Sequence, residues 1–367
     1  MDNVTHTLVA ATLGRTALSR LGRGTTAALI LGSNAPDIDV LATAGGTLAY
    51  LDWHRGVTHG VLGVVVLGLI SAALVRQALR WMARSDGFRP STSAPASFQN
   101  LVAVAMLGAA IHVCMDLPTS YGTRVLSPFD ERWFTTDWMP IVDAYLLGIL
   151  AAGLALGRSP RLRQPAAIAV LVLMAGNYAL RAVTHGQAIR SAPAAFGSAM
   201  PAPCHGTGMP GRTLLRWSRA PRVPEAWGGG ECLLEVAAIP TFTSPFSWRL
   251  IAQTSNAYES QTISLLTRTP QRAHARRRSG GRRANQWTSA VVRAAGSDVG
   301  RRFLSFARYP AARSVLEVDG STTVTWRDVR FEAPIGLADE SIDRGGFFTA
   351  TVRVSSDGSI LDQRLGR

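Results

Sequence analysis

The sequence contains no lysine. All 38 of its basic residues are arginine, set against 24 Asp and Glu, for a net charge of +14. So uniform a choice fits a GC-rich coding bias better than selection for one partner. A nucleic-acid footprint would cluster its arginines and interleave them with aromatics. Only Arg268–Arg283 is dense, and aromatics are scarce there, so nucleic acid is not an expected partner. Cysteine is nearly absent as well. Cys114, Cys204 and Cys232 form no pair at zinc-ribbon spacing, which excludes a module of that kind. The amino terminus also lacks the features of a cleavable signal. It has no basic n-region, and Asp2 and His6 interrupt the place where the apolar core would begin.

Charge is also missing from four long apolar runs: Val61–Leu79, Leu101–Met115, Tyr145–Gly157 and Ala166–Leu180. Most approach the roughly 20 residues a helix needs to cross the hydrocarbon core of a bilayer. A soluble protein can bury one such helix; four so close together call for lipid. The expected fold class is an α-helical integral membrane domain of about four to six membrane helices, followed by a small, mostly-β extracytoplasmic domain. Helices are expected at 4–21, 60–81, 100–117, 139–157 and 165–184, with a short apolar run at 24–34 ending at the Pro36 turn and a loop over 118–137.

Beyond residue 185 the character changes. Residues 186–230 read as a Pro/Gly-rich linker and 231–367 as the mostly-β domain. Strands are expected at Cys232–Ile239, Phe246–Thr254, Arg301–Tyr309, Thr322–Phe331 and Phe347–Val354. The Arg-rich stretch 268–298, with weak periodicity, reads as a disordered loop. Cytoplasmic loops carry an excess of Lys and Arg. When the helices alternate, the clusters Arg15/Arg20/Arg23, Arg76/Arg80/Arg84/Arg89 and Arg158/Arg161/Arg163 fall on one side. That side is the cytoplasm, which puts the C-terminal domain outside, where Cys204 and Cys232 could pair.

On this topology His and Asp residues from separate segments gather at the outer face. They are His6 in the first helix, Asp37 and Asp39 in Ala-Pro-Asp-Ile-Asp, and His54 and His59 in His-Arg-Gly-Val-Thr-His. His112 and Asp116 close the next helix one turn apart, on one face. Asp137 and Asp143 flank the start of the helix after that. Each motif alone has an ordinary structural reading: an i,i+4 pair, a helix cap, a turn. Arg55 reads as an ion-pair partner. Together they are more economically a metal site, because ionisable groups at membrane depth are costly and usually paired, hydrated or functional. Imidazole with carboxylate suits zinc or a similar divalent ion, and so many donors could hold one or two ions.

In order and spacing, Asp2-x-x-Thr5-His6, Ala35-Pro36-Asp37-Ile38-Asp39, His54-Arg55-x-x-Thr58-His59 and His112-x-x-x-Asp116 resemble the YdjM family. The resemblance covers about residues 1–185 and extends weakly to Ser244–Arg249 and Phe303–Phe331, like the extracytoplasmic tails of longer members. Residues 193–230 and 268–298 depart from that pattern. The resemblance implies a multi-pass protein of the bacterial inner membrane, with metal-dependent hydrolase activity and, for some members, induction in the SOS response.

The expected ligands are His6, Asp37, Asp39, His54, His59, His112, Asp116 and, in reserve, Asp143, with Asp39 and Asp116 as catalytic carboxylates and a metal-activated water as nucleophile. A site at the lipid–water boundary suggests a lipid phosphoester or another amphipathic ester. The competing expectation is a non-catalytic metal-binding or transport module whose β domain recruits a partner.

Overall fold

The computed structural model describes residues 1–84, 94–197, 200–204, 215–217, 231–266, 280–331, 346 and 348–366. Arg89, most of the expected linker (198–199, 205–214 and 218–230) and residues 268–279 of the Arg-rich stretch lie outside the described residues. The chain divides into two compact units. One comprises Met1–Leu41 and Trp53–Ala182; the other comprises Ala42–Asp52 and Val183–Arg367.

The first unit is helical. Its elements begin with α1 (Asn3–Leu13), α2 (Thr25–Asn34) and the start of a 3-10 stretch, Ala35–Gly45; α3 (Thr47–Trp53), next in the chain, belongs to the second unit but for Trp53, and a 3-10 turn, Val57–His59, continues the first. Then come α4 (Val61–Arg84), α5 (Phe98–Asp116), the short strand β1 (Trp133–Thr135), α6 (Ala144–Leu156) and α7 (Arg163–Arg190). The helix expected over 4–21 is interrupted. It ends at Gly14, where a Cβ would lie 2.5 Å from Thr26 Oγ1, and a separate 3-10 turn, Ala17–Leu21, begins after the Thr16 cap.

Among the described residues, α4, α5 and α7 are long and apolar enough to span a membrane; α6, with 13 residues, is shorter. At 1.5 Å per residue α6 is about 20 Å long, less than the roughly 30 Å hydrocarbon core. Large apolar side chains of α4, including Val61, Val66, Ile70 and Leu74, point outward, as lipid contact requires.

Two buried clusters hold the helices together. Ala10, Ala28, Leu29, Ala72, Leu101, Val104 and Ala105 join α1, α2, α4 and α5. Val9, Met115, Leu146, Leu150 and Val170 join α1, α5, α6 and α7. Small residues let α2 and α5 approach closely, the device that packs helices where water supplies no driving force. A Cβ on Gly32 would lie 2.2 Å from Ala105 O, and one on Gly108 would lie 2.5 Å from Leu29 O. This approach sets the end of α2 beside the last turns of α5.

The second unit is mostly β. The end of α7, α8 (Ala192–Phe196) and β2 (Leu215–Trp217) precede β3 (Leu233–Pro240), β4 (Ser247–Thr254), β5 (Ala257–Ser264) and β6 (Gly280–Ala284). Strands β3 to β6 form one antiparallel sheet in chain order. Helices α9 (Ser289–Ala295) and α10 (Asp298–Phe306) lead to β7 (Pro310–Leu316), β8 (Thr322–Asp328), β9 (Thr349–Val354) and β10 (Ile360–Leu365), which form the second antiparallel sheet. In it Val324 faces Val352 and Trp326 faces Ala350, all buried. Residues Ala188 and Ala192 pack on Leu233, Val236, Trp248 and Leu250 of the first sheet.

Three expectations change here. The region expected as a strand over 301–309 is mainly helix α10. Ser297 caps it by accepting from Gly300 N at 3.0 Å, and Val299, Phe303, Leu304 and Phe306 fall on one buried helical face. Period 3.6 prevails over the short apolar run that suggested a strand. Within the stretch expected to be a disordered loop, 280–284 is the edge strand β6, paired to β5 from Ala257↔Ala284 to Gln261↔Gly280, and 289–295 is helical. Helix also occupies the start of the expected linker, because α7 runs to Arg190 and α8 follows. Cys204 and Cys232 form a disulfide across 28 residues.

Candidate metal centre

Four side chains from three segments converge at the C-terminal end of α5. One ligand atom each from Asp37, His59, His112 and Asp116 lies within 4.8 Å of all the others. Two of them come from one helical face, since residues four apart stack on successive turns. Asp37 is delivered by the 3-10 stretch after α2, and His59 by the 3-10 turn that precedes α4. His59 Nε2 is 3.5 Å from Asp37 Oδ1 and 3.4 Å from Asp116 Oδ2. His112 Nε2 is 3.5 Å from each of the same oxygens.

The neighbours of the histidines decide which nitrogen faces inward. His112 Nδ1 lies 2.7 Å from the carbonyl oxygen of Ser33, which can only accept, so Nδ1 carries the hydrogen and Nε2 presents a lone pair. His59 Nδ1 lies 3.2 Å from Asp39 Oδ2 and 3.0 Å from Thr58 Oγ1. A carboxylate there favours the same tautomer. This is the outer arrangement by which proteins orient metal-ligating histidines.

Asp39 therefore sits behind His59 and outside the group of four. Its Oδ1 is 3.0 Å from His54 Nδ1; its Oδ2 accepts from Arg55 N at 2.8 Å and from Thr58 Oγ1 at 3.0 Å. His54 accordingly belongs to the Asp39 network, with its ring edge-on to Tyr121 at 5.2 Å. Burial pushes the His54 imidazole below its ordinary pKa, against the pull of Asp39. Burial works to raise both Asp37 and Asp39. Hydrogen bonding with His112 and His59 for Asp37, and with His54 and His59 for Asp39, overcomes it and holds both below the usual carboxylate range.

His6, fully buried in α1, stacks on His112 with ring centroids 3.8 Å apart, and its Nε2 is 3.4 Å from Asp116 Oδ1. The amino group of Met1 also meets that oxygen. Arg55 contributes a guanidinium whose Nη2 is 3.1 Å from Asp116 Oδ2. Asp143 is drawn elsewhere. It caps α6 by accepting from Leu146 N at 2.9 Å and pairs with Arg181 Nε at 2.6 Å. Asp137 has a hydrogen bond from its backbone N to Thr135 Oγ1 at 3.0 Å and is likewise not in the group.

A divalent cation fits this donor set. Both ring nitrogens of His6 are buried without a hydrogen-bond partner, and the buried oxygens of Asp116 are met only by ion pairs and histidine nitrogens. Buried polar atoms are rarely left so, and each costs free energy. Two imidazole lone pairs and two carboxylate oxygens converge on one point, and a positive ion is what satisfies them together. The sequence motifs identify all four converging residues. They do not identify the Ser33 carbonyl, because a backbone acceptor leaves no mark on residue type.

A model of the YdjM inner membrane protein family matches residues 1–188. Among curated proteins, the uncharacterized protein YfhP of Bacillus subtilis (strain 168) is 25% identical over 194 residues, covering 50% of this chain and 54% of that protein. The chain thus spans about half the length of the curated relative it matches. No solved structure matches it.

Proposed function

The chain belongs to the YdjM family of inner membrane proteins, and from that membership we propose that it is a membrane-bound metal-dependent hydrolase with its centre at Asp37, His59, His112 and Asp116. The observation that carries the reading is the convergence of the buried Asp116 carboxylate with Asp37, His59 and His112, one ligand atom of each within 4.8 Å of the others. His6 serves as a further donor, which accounts for one of its two buried nitrogens. Zinc is the ion proposed, on the mixed imidazole and carboxylate set. When bound, such an ion supplies Lewis acidity and lowers the pKa of water.

The protein's own groups divide the remaining work. Ser33 O and Asp39 hold the tautomers of His112 and His59. Asp39 is surrounded by four donors, so its role is positioning rather than proton transfer. His54, fixed through Nδ1 by Asp39 and the more solvent-accessible partner, with its side chain 14% exposed, is the group proposed to accept a proton at Nε2. The placement of the centre at the end of a candidate membrane helix supports a lipid phosphoester or another amphipathic ester as substrate.

The C-terminal unit is proposed to lie outside the cytoplasm. The arginine clusters favour that orientation, and so does a disulfide between Cys204 and Cys232, since such bonds persist in oxidising compartments.

A hydrolase screen on the full chain in detergent, with phosphoester and carboxyl-ester lipids and with chelator as control, tests the reading. Hydrolysis that chelator abolishes and zinc restores is expected. Bound metal with no hydrolysis of any ester class would favour a non-catalytic metal-binding or transport module instead.

A further inference from the structure

Charge in the centre does not balance. Asp37, Asp39 and Asp116 bring three carboxylates, all buried or nearly so, with side chains 15%, 2% and 0% exposed. Imidazoles bind metals in the neutral form. Arg55 is the cationic side chain in contact with this set, and its own side chain is 5% exposed. The neighbouring Arg124 is matched by Glu131, with Nη1 2.7 Å from Oε2. The side chains of the cluster therefore sum to −2, before the Met1 amino group that also meets Asp116 is counted. In a medium that screens poorly, a residual charge of either sign is expensive.

Arg55 is held in place from every side. Its Nη1 donates to Thr119 Oγ1 at 2.7 Å and to Gly122 O at 3.3 Å, and the guanidinium lies 4.8 Å from the centre of the Tyr121 ring. Its backbone has φ 52°, a left-handed conformation uncommon for a residue with a long side chain, and its N–H is tied to Asp39. All this brings Nη2 to Asp116 Oδ2, the oxygen that also faces His59 and His112. In two-metal sites a second ion sits about 3.5–4 Å from the first, close enough to share a ligand with it. Here a guanidinium occupies the flank of Asp116.

We propose that Arg55 is a built-in second cation, so that the centre takes a single divalent ion and discriminates against a second ion or a trivalent one. This rests on the metal-site reading above and adds to it the stoichiometry and the charge selectivity.

Metal titration of the purified full-length chain in detergent tests it, with Zn²⁺, Mn²⁺ and Tb³⁺ as probes and bound metal counted by mass spectrometry. The wild type is expected to bind a single Zn²⁺ or Mn²⁺ at saturation. Arg55→Lys, which keeps the charge, should retain that stoichiometry. Arg55→Met should shift the ratio of Tb³⁺ to Mn²⁺ affinity toward the trivalent ion by about tenfold or more, because the site becomes more negative by one unit. Comparing ratios cancels each ion's intrinsic ligand preference, and a packing role for Arg55 would leave the ratio unmoved.

Two divalent ions in the wild type, or an unchanged ratio in a folded Arg55→Met protein, overturns the proposal. The wild-type count stands even if that variant fails to fold. Absence of any bound metal in the wild type overturns the metal reading itself, and this inference with it; a wild type that binds two ions keeps the first and loses the second.

Discussion

Nε2 of His59 and Nε2 of His112 face each other at 3.1 Å. Neither ring is at liberty to turn away, because the other nitrogen of each is engaged, in one case by the Asp39 carboxylate and in the other by the Ser33 carbonyl. In the tautomers that these contacts favour, both Nε2 atoms present lone pairs, which repel unless something positive lies between or beside them. The outer contacts thus set up the demand for a cation.

Removal of a converging donor should remove the metal. His59→Ala and Asp116→Ala are expected to purify with less than about a tenth of the wild-type metal content, in line with the loss of a ligand from a four-donor site. Asp143→Asn should keep its metal, because Asp143 is committed to Arg181 and the α6 cap. Elemental analysis of the three proteins decides it, and full metal in both alanine variants would dissolve the assignment.

Asp39→Asn tests the positioning role. An amide can donate to His59 Nδ1 and so favour the wrong tautomer. Metal affinity should fall about 10–100-fold while the stoichiometry at saturation stays the same. Isothermal titration separates this from ligand loss, which would lower the stoichiometry.

Acid should destabilise the chelated protein through the same residue. The Asp39 carboxyl lies below its ordinary value in the folded chain. Its contribution is therefore present above the unfolded pKa of about 4 and is lost as pH falls through the lower folded value. Thermal melts in chelator, taken from neutral to acid pH, should fall less steeply for Asp39→Asn than for the wild type.

The approach of α2 to α5 is a packing prediction. Gly32→Val would place a side chain against Ala105 O, where even a Cβ lies at 2.2 Å. Overpacking of this kind costs about 1–3 kcal/mol or more. The displacement should also carry Ser33 O away from His112, so metal affinity should fall together with stability. Denaturation and metal titration on the same sample would show whether the two losses coincide.

Orientation can be read with reporter fusions. Alkaline phosphatase fused after Arg367 should be active and, fused after Arg84, inactive. Cys204 and Cys232 should resist thiol labelling until reduced. The reverse fusion pattern would put the centre on the cytoplasmic face and favour a soluble substrate.

The site was legible in the sequence wherever chemistry and spacing coincide in one segment. His112 and Asp116 are one turn apart on an apolar helix, and the structure sets them side by side. Ala-Pro-Asp-Ile-Asp was harder. It offers two carboxylates two residues apart, and only the path of the 3-10 stretch decides that Asp37 faces inward while Asp39 backs His59. Asp143 looked available because its partner, Arg181, lies far along the chain in another helix. The same limit applies to the fold. Long apolar runs marked α4, α5 and α7, whereas Val299, Phe303 and Phe306 were few enough to pass for a strand until the Ser297 cap set the helical period.

Asp116 is the last of the four converging residues in chain order and stands at the final turn of α5. During synthesis, then, the donors cannot meet until the ribosome has passed residue 116 and α5 has been handed to the bilayer. A nascent chain with only Asp37 and His59 exposed would hold an ion weakly, if at all. On the proposed metal reading, loading follows insertion, and the supply of metal that matters is the one in the compartment onto which the end of α5 opens.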